Sequence, residues 1–252
     1  MKFLMIIFLF AAGVIGLTVA ILSEDSRMQY SDPLAVAQNR DCVVVLHGLN
    51  MGPWHMSRLA DSLSREGYDV FNIGYDSNKG TIPEIATYQV YPKLPQNCSG
   101  RIHFVGHSMG GLVIRQLLGE RYTNKVGRIV MLGTPNHGSE IIDFNMSTPI
   151  VSTIFDMLFG PAAHQLGTKD NPYLEQLASP GVQTGIIAGD RFIDPIGATI
   201  LPEPNDGKVT VESTLLPTMT DFRLMHVSHF WMPFDHAVRA QTIHFLKTGR
   251  FD

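Results

Sequence analysis

The stretch 101–118, R-I-H-F-V-G-H-S-M-G-G-L-V-I-R-Q-L-L, decides the fold of this chain. The apolar residues 102–105 predict a buried strand, and the apolar periodicity that begins near Met109 predicts a helix. Between the two stands Gly106-His107-Ser108-Met109-Gly110, a G-x-S-x-G pattern typical of a very sharp turn. A turn this sharp forces its serine toward an unfavourable backbone conformation. It also requires glycine two residues away on each side, because a Cβ there would collide with the returning chain.

The same pattern places the Ser108 hydroxyl at the carboxyl edge of a sheet, above the N-terminus of the following helix. The helix dipole and the free N–H groups there favour a developing negative charge. Ser108 is therefore predicted to be a nucleophile. The alternative is an ordinary glycine turn, since three fixed positions occur by chance in a chain with 23 glycines. The strand before the turn and the helix after it favour the nucleophile.

Further strands and helices alternate with this unit along the chain. Helices are predicted from Pro53 to a stop at Gly67, and from a cap at Asp235 to a stop at Gly249, with weaker helical spacing over 82–91. Strands are predicted at 43–46, 69–75, 102–105, 126–132, 182–188 and 222–227. Continuously apolar strands separated by helices indicate a parallel sheet covered on both faces. We therefore predict an α/β domain over 41–252, with a mostly parallel sheet of about six strands.

Composition excludes several classes of function. The length of 252 residues suits one α/β domain, and a hydrophobic content of 44% is that of a chain with a globular core. The net charge is −4 and the lysines and arginines are scattered, so there is no electrostatic footprint for nucleic acid. No C-x-x-C spacing indicates a metal site, and the ten histidines are dispersed.

The N-terminus differs in kind from the rest of the chain. Residues 3–22 follow Lys2 without a charge, and this length spans a bilayer. Because Lys2 stays inside and two acidic residues follow at 24–25, the domain is predicted to be exported and anchored, facing the periplasm or exterior. The small residues Thr18-Val19-Ala20 also permit cleavage as a signal peptide, giving a secreted protein. The polar residues 23–40 are predicted to be a tether.

The two cysteines, Cys42 and Cys98, each come just before a predicted strand. In a parallel sheet with those strands adjacent, both cysteines lie at one edge. A disulfide there would close a loop of about 55 residues and suits an oxidising compartment. Two buried thiols are the alternative.

A serine nucleophile needs a base, and the base needs an acid that orients it. In this architecture the chain order is serine, acid, histidine, each on a loop after a strand. His229 follows the last predicted strand and precedes the last helix, so it is predicted to be the base. His226, still within that strand, and His236, within the helix, are expected to pack or to face water.

Two aspartates compete for the role of the acid. Asp206 belongs to an Asp-Gly turn that leads into Val209-Thr210-Val211 and holds the carboxylate rigidly at a loop tip. Asp190 comes directly after the strand that ends at Ala188. We prefer Asp206, whereas Asp190 and the nearby Asp194 also fit simple roles as turn formers or helix caps.

An oxyanion hole in this architecture uses two backbone N–H groups. One comes from the residue after the nucleophile, Met109. The other comes from the loop after the first strand, His47-Gly48-Leu49, where we choose Leu49. His47 is predicted to orient that loop rather than to act as a second base.

Apolar residues on these loops suggest a lipophilic acyl group, and the predicted substrate contacts are Met51, Trp54, Phe230 and Trp231. The alternative is that most of them belong to the ordinary core. Residues 141–180 break the strand–helix rhythm and are apolar without a clear period. They form either a cap over the site or ordinary helices over the sheet.

Five segments together resemble the α/β-hydrolase superfamily over about residues 41–250, and in particular its bacterial esterase- and lipase-like members. The segments are V-V-V-L-H-G-L, G-H-S-M-G-G-L-V-I-R, L-G-T-P-N-H-G-S-E, N-D-G-K-V and V-S-H-F. The resemblance implies a serine hydrolase with Ser108, Asp206 and His229 as its triad, cleaving a small-molecule or lipid-like ester through an acyl-enzyme without a cofactor. The superfamily also contains thioesterases, acyltransferases and non-catalytic members, so a membrane-tethered binding protein stays an alternative. Lipases of this group often have a longer lid, and 141–180 is not clearly one.

Overall fold

A computed structural model describes residues 40–120, 125–147, 149–169, 171–192 and 200–252. The hydrophobic segment 3–22, predicted as an anchor or signal peptide, lies outside these ranges, as does the predicted tether up to residue 39. Asp194 lies outside them too. Among the helices in the described ranges, none has the length and apolarity needed to cross a membrane.

Six parallel strands form one sheet in the order β2-β1-β3-β4-β5-β6. The strands are β1 (Cys42–Leu46), β2 (Asp69–Ile73), β3 (Ile102–His107), β4 (Val126–Leu132), β5 (Thr184–Gly189) and β6 (Asp221–Met225). The predicted mostly parallel sheet of about six strands is confirmed. Three predicted boundaries were wrong: β2 ends at Ile73 and β5 begins at Thr184. β6 ends at Met225, so His226 lies beyond the strand instead of within it.

The helices occupy the connections between the strands. They are α1 (Pro53–Arg65), α2 (Ile82–Glu84), α3 (Met109–Glu120), α4 (Glu140–Met146), α5 (Pro149–Phe159), α6 (Pro161–His164), α7 (Pro172–Gln176), α8 (Val211–Thr214) and α9 (His236–Thr248). The weak helical spacing over 82–91 has a physical counterpart, because α2 continues into a π-helical turn and a 3₁₀ turn. The segment 141–180 is largely helical, α4–α7, in its described parts.

Local sequence explains where the two longest helices, α1 and α9, begin and where α9 ends. Pro53 is the first residue of α1, a position where its missing N–H costs nothing. The Asp235 side chain caps α9 by accepting a hydrogen bond from Val238 N at 3.0 Å. Gly249 then ends α9 with φ +83°, a conformation that suits glycine.

The sheet has apolar packing on both of its faces. Val43 and Val45 of β1 belong to a buried cluster that includes residues of α1 and α9. Val44 and Leu46 point to the opposite face, since side chains alternate along a strand, and they are equally buried. Burial on both faces explains why the strands are continuously apolar.

A disulfide between Cys42 and Cys98 joins the start of β1 to the segment that precedes β3, with their Cα atoms 6.1 Å apart. Of the two alternatives for the cysteines, the structure contains the bridge. Next to it, Asp41 Oδ1 accepts a hydrogen bond from Arg101 N at 2.7 Å, and Asp41 Oδ2 lies 3.2 Å from His103 Nε2. We call this end of the sheet the amino edge and the opposite end, where β1, β3 and β4 finish, the carboxyl edge.

Candidate active site

Ser108 occupies the turn between β3 and α3 with φ +55°, which is the strained conformation that the G-x-S-x-G pattern predicts. Its N–H donates to Leu132 O at 2.8 Å, which fixes the turn against β4. A Cβ placed on Gly106 would lie 2.5 Å from Gly111 N, and one on Gly110 would lie 2.5 Å from Leu46 O. Both glycines are therefore required by close backbone approach.

His229 and Asp206 meet at the carboxyl edge. His229 Nδ1 lies 2.7 Å from Asp206 Oδ2, and the two side chains are 13% and 1% exposed. Asp206 Oδ1 accepts two backbone hydrogen bonds, from Lys208 N at 3.0 Å and Val209 N at 2.8 Å. Because a carboxylate only accepts, His229 Nδ1 carries a proton, and in the neutral ring Nε2 then has the free electron pair. This is the tautomer that a general base needs.

Backbone hydrogen bonds also join the loops that carry these two residues. His229 N donates to Asp206 O at 3.0 Å, and Asp206 N donates to Val209 O at 3.1 Å. Gly207 completes the predicted Asp-Gly turn with φ +92°. The carboxylate is therefore held both by its own turn and by the loop of the histidine that it orients.

The structure brings Ser108 to the same edge as this pair. His107, which precedes Ser108, has its ring 4.8 Å from the His229 ring, centroid to centroid. Gly133 follows Leu132, the acceptor of the Ser108 N–H. A Cβ added to it would lie 3.0 Å from Asp206 Oδ2 and 3.1 Å from His229 Nδ1. All three predicted catalytic residues thus flank the ends of β3 and β4, and their roles stay predictions.

The competing acid lies in a separate pair. Asp190 Oδ1 is 2.8 Å from His226 Nδ1, and the side chain of His226 is 75% exposed. Asp190 N donates to Met225 O at 3.1 Å, as expected of a residue that shapes the turn after β5. His236 is the first residue of α9 and faces solvent.

The two residues predicted to supply the oxyanion hole lie on either side of Ser108. Met109 is the first residue of α3, and N–H groups in a first helical turn have no acceptor within their helix. Leu49 follows Gly48, where an added Cβ would lie 2.9 Å from Ser108 Cβ. Glycine at 48 therefore lets the 47–50 loop approach the serine closely. Asn50, with φ +55°, anchors that loop by donating its N–H to Ser77 Oγ at 2.8 Å.

His47 contacts the loop in the way the sequence predicts. Its Nδ1–H donates to Gly48 O at 2.9 Å, and its ring stacks on Tyr75 with the centroids 4.1 Å apart. The Tyr75 hydroxyl donates in turn to His47 O. Burial lowers the pKa of His47, so the ring stays neutral in its stacked position.

Asn78 connects the same loop to the segment 141–180. Its side-chain amide donates to Asn50 Oδ1 at 3.1 Å and to Leu158 O, near the end of α5, at 3.0 Å. Next to it, Gly160 adopts φ +69° against the backbone of Asn78. One side chain thus touches both the loop that carries Leu49 and the end of α5.

Aromatic side chains surround the carboxyl edge. Phe230 has its ring 6.4 Å from the ring of Trp54 and 5.2 Å from that of Trp231, and it is partly buried. Trp54 is 39% and Trp231 is 47% exposed, so neither is an ordinary core residue. Met51 is partly buried. Trp54, Phe230 and Trp231 therefore form a partly exposed aromatic surface, and the binding roles of these residues and of Met51 stay predictions.

Two buried histidines beside the site, His55 and His107, were missed by the sequence analysis. For His107 the available signal was its place inside the G-x-S-x-G turn. For His55 it was a polar residue next to Met56 on the buried face of α1. In the part of the chain that the structure describes, no three His, Cys, Asp or Glu side chains come together as a metal site would require.

This chain is similar to known α/β hydrolases in sequence and in structure. The sequence profile of the α/β hydrolase fold matches residues 41–165. The mature lipase BlEst2 of Bacillus licheniformis is similar in structure, with a TM-score of 0.64 and 19% identity over 88% of this chain and 96% of that one. The lipase of Staphylococcus hyicus has a TM-score of 0.59 and 14% identity over 87% of this chain and 96% of its own.

A carboxyl esterase from a metagenome is also similar, with a TM-score of 0.60 and 17% identity over 83% of this chain and 70% of that one. Comparison with curated protein sequences gives no match. At identities this low, the structural likeness establishes the fold.

Proposed function

The chain belongs to the α/β-hydrolase superfamily, and on that premise we propose that it is a serine hydrolase that cleaves carboxylic esters. The observation that carries the proposal is the Asp206–His229 pair beside the strained Ser108 turn. The pair leaves an unprotonated imidazole nitrogen at the edge where the serine hydroxyl lies. This is the arrangement that activates a hydroxyl for attack on a carbonyl.

In the proposed mechanism, Ser108 Oγ attacks the ester carbonyl while His229 Nε2 takes its proton. Asp206 stabilises the imidazolium that forms. The Leu49 and Met109 N–H groups bind the oxyanion, each lowering the barrier by about 3 kcal/mol. His229 then protonates the leaving alkoxide, and the acyl-enzyme is hydrolysed by a water that the same imidazole deprotonates.

The aromatic surface of Trp54, Phe230 and Trp231, with the partly buried Met51 on the loop after β1, supports a lipophilic or lipid-like ester as the substrate. Similar structures are described as lipases and as a carboxyl esterase, which agrees with this class. We also propose that α4–α7, within 141–180, act as a cap, because Leu158 is tied through Asn78 to the loop that carries Leu49.

For its location, we propose that the domain is exported and held at the membrane by residues 3–22. The Cys42–Cys98 disulfide supports export, since disulfides persist in oxidising compartments. Protease treatment of intact cells, with the mass of the full chain, tests this. A product that is released without residues 1–22 would replace the anchor with a cleaved signal, and one that is protected inside the cell would reject export.

A fluorophosphonate probe and a series of p-nitrophenyl esters of graded acyl length test the activity. We expect the probe to label Ser108, and Ser108→Ala to abolish labelling and lower kcat about 10⁶-fold. Ser62→Ala is the matched control, because Ser62 is a partly exposed serine of α1 that donates to Arg58 O. An unlabelled chain that turns over no ester would make the protein a non-catalytic member. Transfer of the acyl group to an acceptor other than water would make it an acyltransferase.

A further inference from the structure

Two buried imidazoles hold the backbone of the segment that carries His229. His107 Nε2 lies 3.0 Å from His229 O, and His55 Nε2 lies 2.9 Å from Phe230 O. The two rings are neighbours, with centroids 4.9 Å apart, although His55 belongs to α1 and His107 to the end of β3. Separate elements thus converge on two successive carbonyl groups.

The protonation of both rings follows from their partners. A carbonyl oxygen only accepts, so each Nε2 carries the proton and each Nδ1 does not. Both Nδ1 atoms are buried and have no hydrogen-bond partner in the described part of the chain. Burial lowers the pKa of His55 to about 4, and burial with the neighbouring His229 and His55 holds that of His107 well below its usual value. Both side chains are therefore neutral donors.

We propose that His55 and His107 are positioning residues for His229, an inference that rests on the proposed hydrolase function. Each donates its Nε2–H to one of the two successive carbonyls at 229 and 230. With the hydrogen bonds from His229 N to Asp206 O and from His229 Nδ1 to Asp206 Oδ2, they restrain the backbone on both sides of the base. Correct placement matters because an error of about 1 Å in a catalytic group costs about 100-fold in rate.

The neutrality of these donors suits their place beside a base. The ring of His229 becomes positively charged during the proposed reaction, and the ring of His107 is 4.8 Å from it. A lysine or arginine at 107 would donate the same hydrogen bond but would oppose that charge. A buried imidazole supplies the donor without the charge.

One atom, Nε2, distinguishes a histidine that only fills the core from one that positions His229. Core filling needs the volume of the ring, whereas positioning needs the N–H at Nε2. Glutamine places an amide N–H near the position of Nε2. Asparagine, with the same chemistry on a shorter side chain, places its amide near Nδ1. Comparison of Gln with Asn at 107 and at 55 therefore separates the two roles.

His103 provides the matched control. It is a buried histidine of the same strand as His107, but it lies at the amino edge, where its Nδ1 accepts from Arg128 N at 2.8 Å. His103→Asn reports the cost of shortening a buried imidazole away from the site. The measurements are kcat and KM on a p-nitrophenyl ester, the free energy of unfolding, and amide hydrogen exchange of the peptide 229–234, all on the full chain.

We expect His107→Asn to lower kcat about 100-fold with little change in KM, and His107→Gln to keep most of the activity. His55→Asn and His55→Gln should follow the same order, and they carry the test if His107→Asn does not fold. Exchange in 229–234 should rise in the Asn variants alone. The His103→Asn control should lose stability without losing kcat.

Equal kcat for the Gln and Asn variants, whether both fall or both stay at the wild-type value, would overturn the positioning role. An inactive wild-type chain would instead reject the proposed hydrolase function. In that case the exchange measurement still decides whether Nε2–H donors hold the segment. Unchanged exchange in the Asn variants would then reject the inference.

Discussion

The two edges of the sheet differ in their contacts: the amino edge has a disulfide and paired polar groups, whereas the carboxyl edge has a strained serine and unpaired buried atoms. At the amino edge, the Cys42–Cys98 disulfide and the hydrogen bonds of Asp41 to Arg101 and His103 join β1 to β3. At the carboxyl edge, Ser108 is held at φ +55°. Three buried polar atoms there have no partner among the described residues: His55 Nδ1, His107 Nδ1 and Thr134 Oγ1.

The comparison shows that contacts which stabilise the fold lie at one edge of the sheet and the candidate active site lies at the other. Strain and unpaired buried groups destabilise a fold, and they persist only where the surroundings fix them. In a parallel sheet the loops at the carboxyl ends form the site. The disulfide and hydrogen bonds at the amino edge hold β1 and β3 together, so the carboxyl edge can keep a strained serine and unpaired buried groups. Changes at the two edges should therefore alter different measurements.

After loss of the Ser108 nucleophile, the largest effect should come from the acid at the carboxyl edge. Asp206→Asn removes the acceptor for His229 Nδ1–H and favours the wrong tautomer, so kcat should fall about 10⁴-fold. Asp190→Asn is the matched control and should change kcat little, since Asp190 pairs with the exposed His226. Ester hydrolysis at saturating substrate measures both, and a larger loss for Asp190→Asn would exchange their roles.

Breaking the amino edge should affect stability alone. A combined Cys42→Ser and Cys98→Ser variant opens a loop with a sequence separation of 56. Its free energy of unfolding should fall by about 4 kcal/mol, because the unfolded chain gains conformational freedom. Denaturant unfolding measures this, and kcat at 25 °C should keep its wild-type value. A parallel fall in kcat would show that the two edges are coupled.

The smallest effect concerns backbone strain, which both edges contain. Ser108 and Lys125, which precedes β4 at the amino edge, both have positive φ, +55° and +63°. Substitution by glycine relieves a cost of about 1–2 kcal/mol, less the freedom that glycine adds to the unfolded chain. We expect Ser108→Gly and Lys125→Gly each to raise the free energy of unfolding by about 1 kcal/mol at most. Thermal unfolding measures the gain, and only Ser108→Gly should abolish ester hydrolysis. A stabilising Ser108→Gly variant that stays active would contradict the nucleophile.

Local rules made much of this molecule predictable. The glycines at 106 and 110 are required by collisions within a single turn, and the disulfide follows from two cysteines placed before neighbouring parallel strands. The meeting of Asp206 and His229 was expected because both follow strands of one sheet. These inferences needed only strand order and short-range sterics.

The contacts of His55 and His107 could not be predicted from local sequence or strand order. The hydrogen bond of His55 to Phe230 spans 175 residues, and that of His107 to His229 spans 122. Nothing in their local sequence indicates which carbonyl a buried imidazole will reach. The same holds for the early end of β6 at Met225, since the apolar Val227 extends the strand pattern although it packs in the core beyond it.

Asn78 has two amide hydrogens, and each is directed at a different part of the chain. Outward movement of α5 that breaks the bond to Leu158 would release one of them, and the amide could then rotate about its side-chain bonds. Asn50 would lose the donor that orients its side chain, one residue from Leu49. With α5 as the proposed cap and Leu49 in the proposed oxyanion hole, opening of the cap and the shape of that loop would be linked through one side-chain amide.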